Sequence, residues 1–328
     1  MTRVLVTGAG GPAGVAVIRS LLNRADVEVF AADMDGWASG LYLVPAERRR
    51  LVEPALSDRF VDDLKRTIET DSIDVVFATV DLELPTLAEA RTELGAILAA
   101  PSLETLRVCL DKWMLAQRCS SLLRVPTTRL LNAEGVSHDW DFPTIVKPRS
   151  GAGSRGVRLV SDRAALEAIP FDEALNSQEH LPGDEYSVDV IADSSGGIVA
   201  AVPRTRTRVD SGVSIAGRTV HSEELESTAA AVARAIGLVG VANVQLRYAT
   251  DGTPALLEVN PRFPGAMPLT IAAGVDMPSL ALDLALGVQL PARVEFREVA
   301  NVRYLEDVFL DPAQVLVSAH AAHAEHDE

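Results

Sequence analysis

Residues 241–262 read VANVQLRYATDGTPALLEVNPR. Two apolar-rich runs flank Asp251–Gly252, a dipeptide that favours a two-residue hairpin turn. With that turn Thr250 faces Thr253, and counting outward sets Gln245 opposite Glu258. Side chains alternate faces along a strand, so Glu258 and Asn260 share one face. Cross-strand partners approach closely enough to contact one ligand. Gln245, Glu258 and Asn260 thus form an oxygen-rich cluster on an otherwise apolar hairpin. Such a cluster suits a hard cation such as magnesium, which takes oxygen ligands and usually shares a substrate's phosphates. An edge hairpin with a polar outer face has the same pattern, and spacing alone does not separate the two.

The lysines add a second signal. The chain has 30 Lys plus Arg, yet its lysines are only Lys65, Lys112 and Lys147. Genome composition explains the rarity but not the positions. Lys147 precedes Pro148 and the run SGAGSRG (150–156) within FPTIVKPRSGAGSRGVRLV (142–160), which has the form strand, flexible loop, strand. Exposed backbone N–H groups in such a loop can cradle phosphate. The loop lacks the GK[ST] ending of a P-loop, and an ordinary mobile hairpin loop looks similar. Lys112 opens the helical run LDKWMLAQRCSSLL (110–123), where Asp111 is placed to cap the first turn and Pro126 to stop the helix.

Upstream, RVLVTGAGGPAGVAVIRSLL (3–22) reads as strand, glycine turn and helix, and VEVFAAD (27–33) and IDVVFAT (73–79) as further strands. Apolar runs alternating with helices imply a parallel sheet covered on both sides. TLAEARTELGAILAA (86–100) reads as one helix. EHLPGDEYSVDVIAD (179–193) holds a turn and then a strand, with GGIVAAVPRTRTR (196–208) as its antiparallel partner. Arg204, Arg206 and Arg208 then point to one face, either to meet an anionic substrate or as a solvated edge. ELESTAAAVARAIG (224–237) is a helix with a glycine end signal. The end, AHAAHAEHDE (319–328), carries His320, His323 and His326 and reads as a frayed tail rather than a metal site.

Bulk properties set limits. A length of 328 residues suits two or three α/β units. A net charge of −16 argues against a sequence-independent nucleic-acid binder, though it permits a local basic pocket. Cys109 and Cys119 have no metal-site spacing and suit buried thiols in a reducing compartment. The N-terminus enters a strand at once, and no run is long and apolar enough to span a membrane, so a cytoplasmic protein is expected.

Taken in order, VLVTGAGGPAG, LDKWM, FPTIVKPRSGAGSRGV, EHLPGDEYSVDV, NVQ and LLEVNPRFPG resemble the ATP-grasp superfamily of carboxylate–amine ligases, in particular the synthetase units of carbamoyl phosphate synthase. The resemblance implies an α/β chain: a Rossmann-like pre-ATP-grasp domain over 1–105, a linker helix and small lobe (lid) over 106–190, a large lobe over 191–312, and a flexible tail over 313–328. ATP would lie between the lobes with magnesium, or manganese in its place. A carboxylate would become an acyl phosphate and then meet an amine or related nucleophile. Lys112 and Lys147 would reach the phosphates, under a loop containing Ser150, Gly151, Gly153, Ser154 and Gly156. Glu179, His180 and Leu181 would recognise adenine, largely through backbone groups, and Glu185 the ribose. Gln245, Glu258 and Asn260 would hold the metal, with Gln245 replacing the acidic residue commoner in the superfamily. Arg262 would lie near the transferred phosphoryl group, unless it serves as a fold-locking ion pair, and Lys147, Arg204 and Arg206 would complete the catalytic set. Expected partners are a small-molecule carboxylate and an amine or amino acid, with no nucleic acid or membrane, and a homodimer as the oligomer. Two rivals stand beside this reading. One is an NAD(P)-dependent oxidoreductase using GAGGPAG and Asp33 or Asp35, although Gly8, Gly10 and Gly14 give G-x-G-x-x-x-G rather than the dinucleotide spacing. The other is a non-catalytic ATP-binding regulator.

Overall fold

The first strands are short apolar runs, buried on both faces, as a covered parallel sheet requires. In the computed structural model, which describes residues 1–151, 153 and 155–317, β1 (Thr2–Val6), β2 (Val27–Asp33), β3 (Arg49–Leu51), β4 (Val75–Phe77) and β5 (Ile97–Leu98) form a parallel sheet in the order β3-β2-β1-β4-β5. Val4 and Val6 pack with Val17, Ile18 and Leu21 of the helix Pro12–Leu21. Leu5 and Val76 face the other way, on to Phe60, Leu64 and Ile68 of the helix Phe60–Asp71. The expected helix over 86–100 is a correction. It runs only over Leu84–Glu89, Gly95 turns the chain at φ 76°, and Ile97–Leu98 add a strand beside β4. Arg91 supports that exit by donating to the carbonyls of Leu98, Ala100 and Pro101.

Two helices follow, Leu103–Leu110 and Lys112–Cys119. Asp111 caps the second, its carboxylate accepting from the Trp113 and Met114 amides at 2.9 and 3.2 Å. A four-stranded antiparallel sheet comes next: β6 (Thr128–Leu131), β7 (Thr144–Pro148), β8 (Arg158–Val160) and β9 (Asp172–Glu179), in the order β6-β9-β7-β8. Val146, Trp140 and Leu166 form its small core. The rest comprises β10 (Glu185–Ala192), β11 (Ile198–Thr205), β12 (Arg208–Asp210), β13 (Val213–Arg218), β14 (Gly240–Tyr248), β15 (Pro254–Asn260) and β16 (Ala300–Val302). These make one sheet β11-β10-β14-β15 and a smaller one β12-β13-β16. Val188, Val190, Val244 and Leu246 pack with Leu225, Ala229 and Val232 of the helix Glu223–Ala235. Alternation therefore puts Ser187, Asp189, Asn243 and Gln245 on the opposite, polar face.

The 241–262 hairpin pairs Gln245 with Glu258 and Asn243 with Asn260. That pairing arises differently from the simple count. The loop holds three residues, because Ala249 N–H donates to Thr253 O at 2.8 Å and Gly252, at φ 78°, donates to Ala249 O at 3.0 Å. Leu246 then pairs with Leu256, and an extra residue, Leu257, shifts the register before Glu258. The longer loop and the bulge cancel. Further on, Leu316 N–H donates to Tyr42 Oη at 3.1 Å, so the chain end up to this point returns to the first sheet's unit. Ser154 and the three tail histidines lie outside the described residues. Among the described residues no helix is long and apolar enough to cross a membrane.

Candidate active site

Between the β6–β9 sheet and the polar face of the β10–β15 sheet lies a cleft of about 680 Å³, within the size range of small-molecule sites. Gln245 and Glu258 of the hairpin line its floor with Glu185 and Arg206. Lys147, Ser150, Gly151 and Gly153 line the opposite wall. Glu179, His180 and Leu181, where the chain leaves β9, border it further along, and Lys112 enters from its helix start. Residues expected from widely separated motifs thus meet around one space.

Charge within the cleft is arranged in opposed pairs. Lys112 Nζ stands 3.5 Å from a Glu258 carboxylate oxygen and donates to Gly151 O at 2.8 Å. Arg206 pairs with Glu185 at 2.8 Å and also donates to Ser187 Oγ at 3.1 Å and Gly212 O at 3.2 Å. A polyanion drawing on Lys112 and a cation drawing on Glu258 would each replace a contact already made. Lys147 is buried, and burial pushes its amine down from 10.5 to about 8, with the Lys112 charge adding to the fall and Glu258 and Glu185 opposing it. The Glu179 carboxylate is taken by Arg124 and, at 2.9 Å, by the Thr127 amide. Its side chain is therefore a strand lock.

The loop after Lys147 needs its glycines, since Gly151, Gly153 and Gly156 hold φ of 117°, 69° and 76°. Gly153 abuts Gly212 of the β12–β13 turn, where an added Cβ would stand 3.1 Å from Gly153 Cα. For a metal, the hairpin supplies one carboxylate and two amides. Among the described residues no three His, Cys, Asp or Glu side chains cluster as ligands. The donor set is all oxygen with little charge, which fits magnesium sharing a ligand's phosphates and not a fully protein-bound ion.

Other expected residues lie elsewhere. Asn260 and Gly156 are outside the cleft lining. Arg204 requires correction. It is 1% exposed and binds Asp189 through two hydrogen bonds of 2.9 and 2.7 Å. Asp189 also accepts from Asn243 at 2.8 Å and from Thr270. This closed network is structural and leaves Arg204 no approach to substrate. Arg208 is exposed on β12. Arg262 forms a two-pronged pair with Asp81, both contacts 2.9 Å, joining the hairpin's end to the loop after β4. In the GAGGPAG loop, Gly10 N–H donates to Asp33 at 2.8 Å and Gly11 N–H to Gly8 O at 3.1 Å, while Pro12 has no N–H. Two of the loop's amides are thus spent internally, and the G-x-G-x-x-x-G spacing departs from the dinucleotide pattern, which weighs against the oxidoreductase reading. Two further residues escaped the sequence reading. Arg247 lines the cleft and follows Gln245 by strand alternation, so the hairpin pattern held its signal. Arg303 donates to Gly265 O at 2.6 Å and has no carboxylate within ion-pair range among the described residues; no local pattern marks it.

A glycine-looped antiparallel lid facing a hairpin floor, behind a parallel α/β unit, defines the ATP-grasp class of fold. The family described as "ATP-grasp in the biosynthetic pathway with Ter operon" matches residues 172–308. The carbamoyl phosphate synthase large chain of Clostridium acetobutylicum is 24% identical over 255 residues, covering 70% of this chain and 24% of that protein. This chain therefore spans about a quarter of that relative's length. The biotin carboxylase domain of Hydrogenobacter thermophilus 2-oxoglutarate carboxylase, solved with MgADP and bicarbonate, superposes with a TM-score of 0.73 at 16% identity, covering 88% of this chain and 70% of that one. An L-amino acid ligase from Bacillus licheniformis gives 0.68 at 18% identity, over 87% and 74%. Residues 172–308 thus match an ATP-grasp family, and the chain shares the fold of a biotin carboxylase domain and is similar in sequence to a carbamoyl phosphate synthase large chain.

Proposed function

We propose that the chain is an ATP- and magnesium-dependent ligase that activates a carboxylate as an acyl phosphate and joins it to an amine, releasing ADP and phosphate. The observation that carries this reading is the meeting of Lys112, Lys147, the 150–156 loop, Gln245 and Glu258 around one cleft. The two lysines would neutralise the polyphosphate. The loop amides would cover it, and the Gly153–Gly212 approach would seal water from a hydrolysable intermediate. Glu258, with the amide oxygen of Gln245, would hold magnesium on the cleft floor, and Asn260, on the same strand face just beyond the lining, would join them. When bound, that ion supplies polarisation of the transferring phosphoryl group. Glu185 would bind the ribose, exchanging its Arg206 contact for hydroxyl groups and freeing Arg206 to meet negative charge.

An amino acid is the first acid class to try, in keeping with the L-amino acid ligase among the structural neighbours. The test is ADP and phosphate release with ATP, magnesium and a panel of amino acids and simple carboxylates, each with and without an amine. Acid-dependent phosphate release and a condensed product mass support the reading. Acid-independent behaviour across the panel, with no ATP binding, would remove it.

A further inference from the structure

Asn176 is the buried polar group that the reading above does not use. It lies in β9 with 0% exposure, and neither its Oδ1 nor its Nδ2 has a hydrogen-bond partner among the described residues. Buried amides are normally satisfied, so an orphan of this kind calls for a cause. Its position supplies one. Asn176 pairs directly with Lys147 across β7 and β9, so both side chains leave the same sheet face. Ile145 and Gln178, the next pair on that face, line the cleft. Val146 lies on the opposite face, in the lid core. Asn176 therefore stands beside Lys147 on the cleft side of the sheet, fully buried and outside the cleft lining.

We propose that Asn176 is a positioning residue for Lys147: its Oδ1, without a partner in this ligand-free structure, accepts one ammonium proton when the other two turn to a bound polyphosphate. The proposal rests on the ATP reading of the cleft. An ammonium has three donors, and phosphate oxygens approach only from the cleft. A lysine with no acceptor behind it would lose a donor to desolvation when the lid closes. The groups facing Lys147 from the other elements are Glu258, Lys112 and Glu185, and each also faces the cleft. None of them is the acceptor paired with Lys147 across the lid sheet.

The test is a double-mutant cycle on ATP affinity with N176L, K147M and both together, read by calorimetry. Leucine matches asparagine in approximate size and removes the unmet amide, so N176L should melt at the same or a higher temperature than the parent. It should weaken ATP binding about tenfold in the parent, the scale of one charge-assisted hydrogen bond, and have no effect in K147M. A cost equal in both backgrounds, or absent from the parent, overturns the proposal. A second readout follows the lysine itself. With only three lysines, selective 13C labelling gives three side-chain signals, and the one lost in K147M should move on ATP binding in the parent and move differently in N176L. An identical ATP-induced movement in both counts against the pair. A parent that binds no ATP sinks the ligase reading and this proposal together, whereas ATP binding of equal affinity in parent and N176L sinks the proposal alone.

Discussion

Two charged residues of the large-lobe face and its lid differ in fate because one has a counter-ion and the other lacks a close one. Lys147 is held near 8 by burial, against 10.5 in an unfolded chain. The sign follows from that depression. Below 8 the folded chain must carry a buried charge, and between 8 and 10.5 the unfolded chain binds more protons, so this group's penalty is relieved as pH rises through that window. K147M should therefore stabilise the protein at pH 7, by up to about 3 kcal/mol in a denaturant titration, while reducing ATP turnover at least tenfold. ATP affinity should behave oppositely. It should fall as pH rises through about 8, because only the protonated amine attracts phosphate, and K147R should flatten that profile; an unchanged slope in K147R would clear Lys147 of the role. Arg204 carries the contrasting prediction. R204A strands the Asp189 carboxylate at 0% exposure and should cost about 3–5 kcal/mol of stability, seen as an early unfolding midpoint.

At the scale of elements, the lid loop and the β12–β13 turn meet glycine to glycine. Gly212 sits at φ 84°, so an alanine there is strained by about 1–2 kcal/mol and also presses on Gly153. G212A should raise the KM for ATP several-fold and lower the melting temperature by about 2–5 °C; a KM equal to the parent's would show that the turn is no seat for the lid. How much of this was legible depends on range. The hairpin can be read because alternation and Asp–Gly are local signals, and the Gln245–Glu258 pairing holds because the three-residue loop and the bulge at Leu257 offset each other. The lysines and glycine loop could be read because composition made them conspicuous. The strand Ile97–Leu98 could not, since a short apolar run has no period and only the β4 edge beside it chooses strand over helix. Nor could Arg204 be told from Arg206. Both leave one face, and only the depth of Asp189 in the sheet against the cleft position of Glu185 separates a buried clamp from a ligand-facing charge.

Across the whole molecule, the first parallel unit is tied to the hairpin that carries the proposed metal residues. Arg262 stands two residues beyond Asn260, and its guanidinium grips Asp81 after β4 at 2.9 Å on both prongs. The pair is half-buried, so it is screened less than a surface bridge but not stripped of water. Two roles compete for this arginine, and the aspartate allows them to be separated. If Arg262 only locks the units together, its forked geometry matters solely through Asp81. R262K should then lower stability in the parent and do nothing further once D81N has removed the charge. If the arginine also serves the transferred phosphoryl group, the fork is needed whether or not Asp81 is present. We expect R262K to lower kcat about tenfold in both backgrounds, the scale of one lost charge-assisted hydrogen bond. We also expect a stability coupling between positions 81 and 262 of about 0.5–3 kcal/mol in the same cycle. Turnover by D81N/R262K equal to that of D81N alone would assign Arg262 entirely to the junction, and the chemistry would have to be carried from within the cleft by Lys112, Lys147 and Arg206.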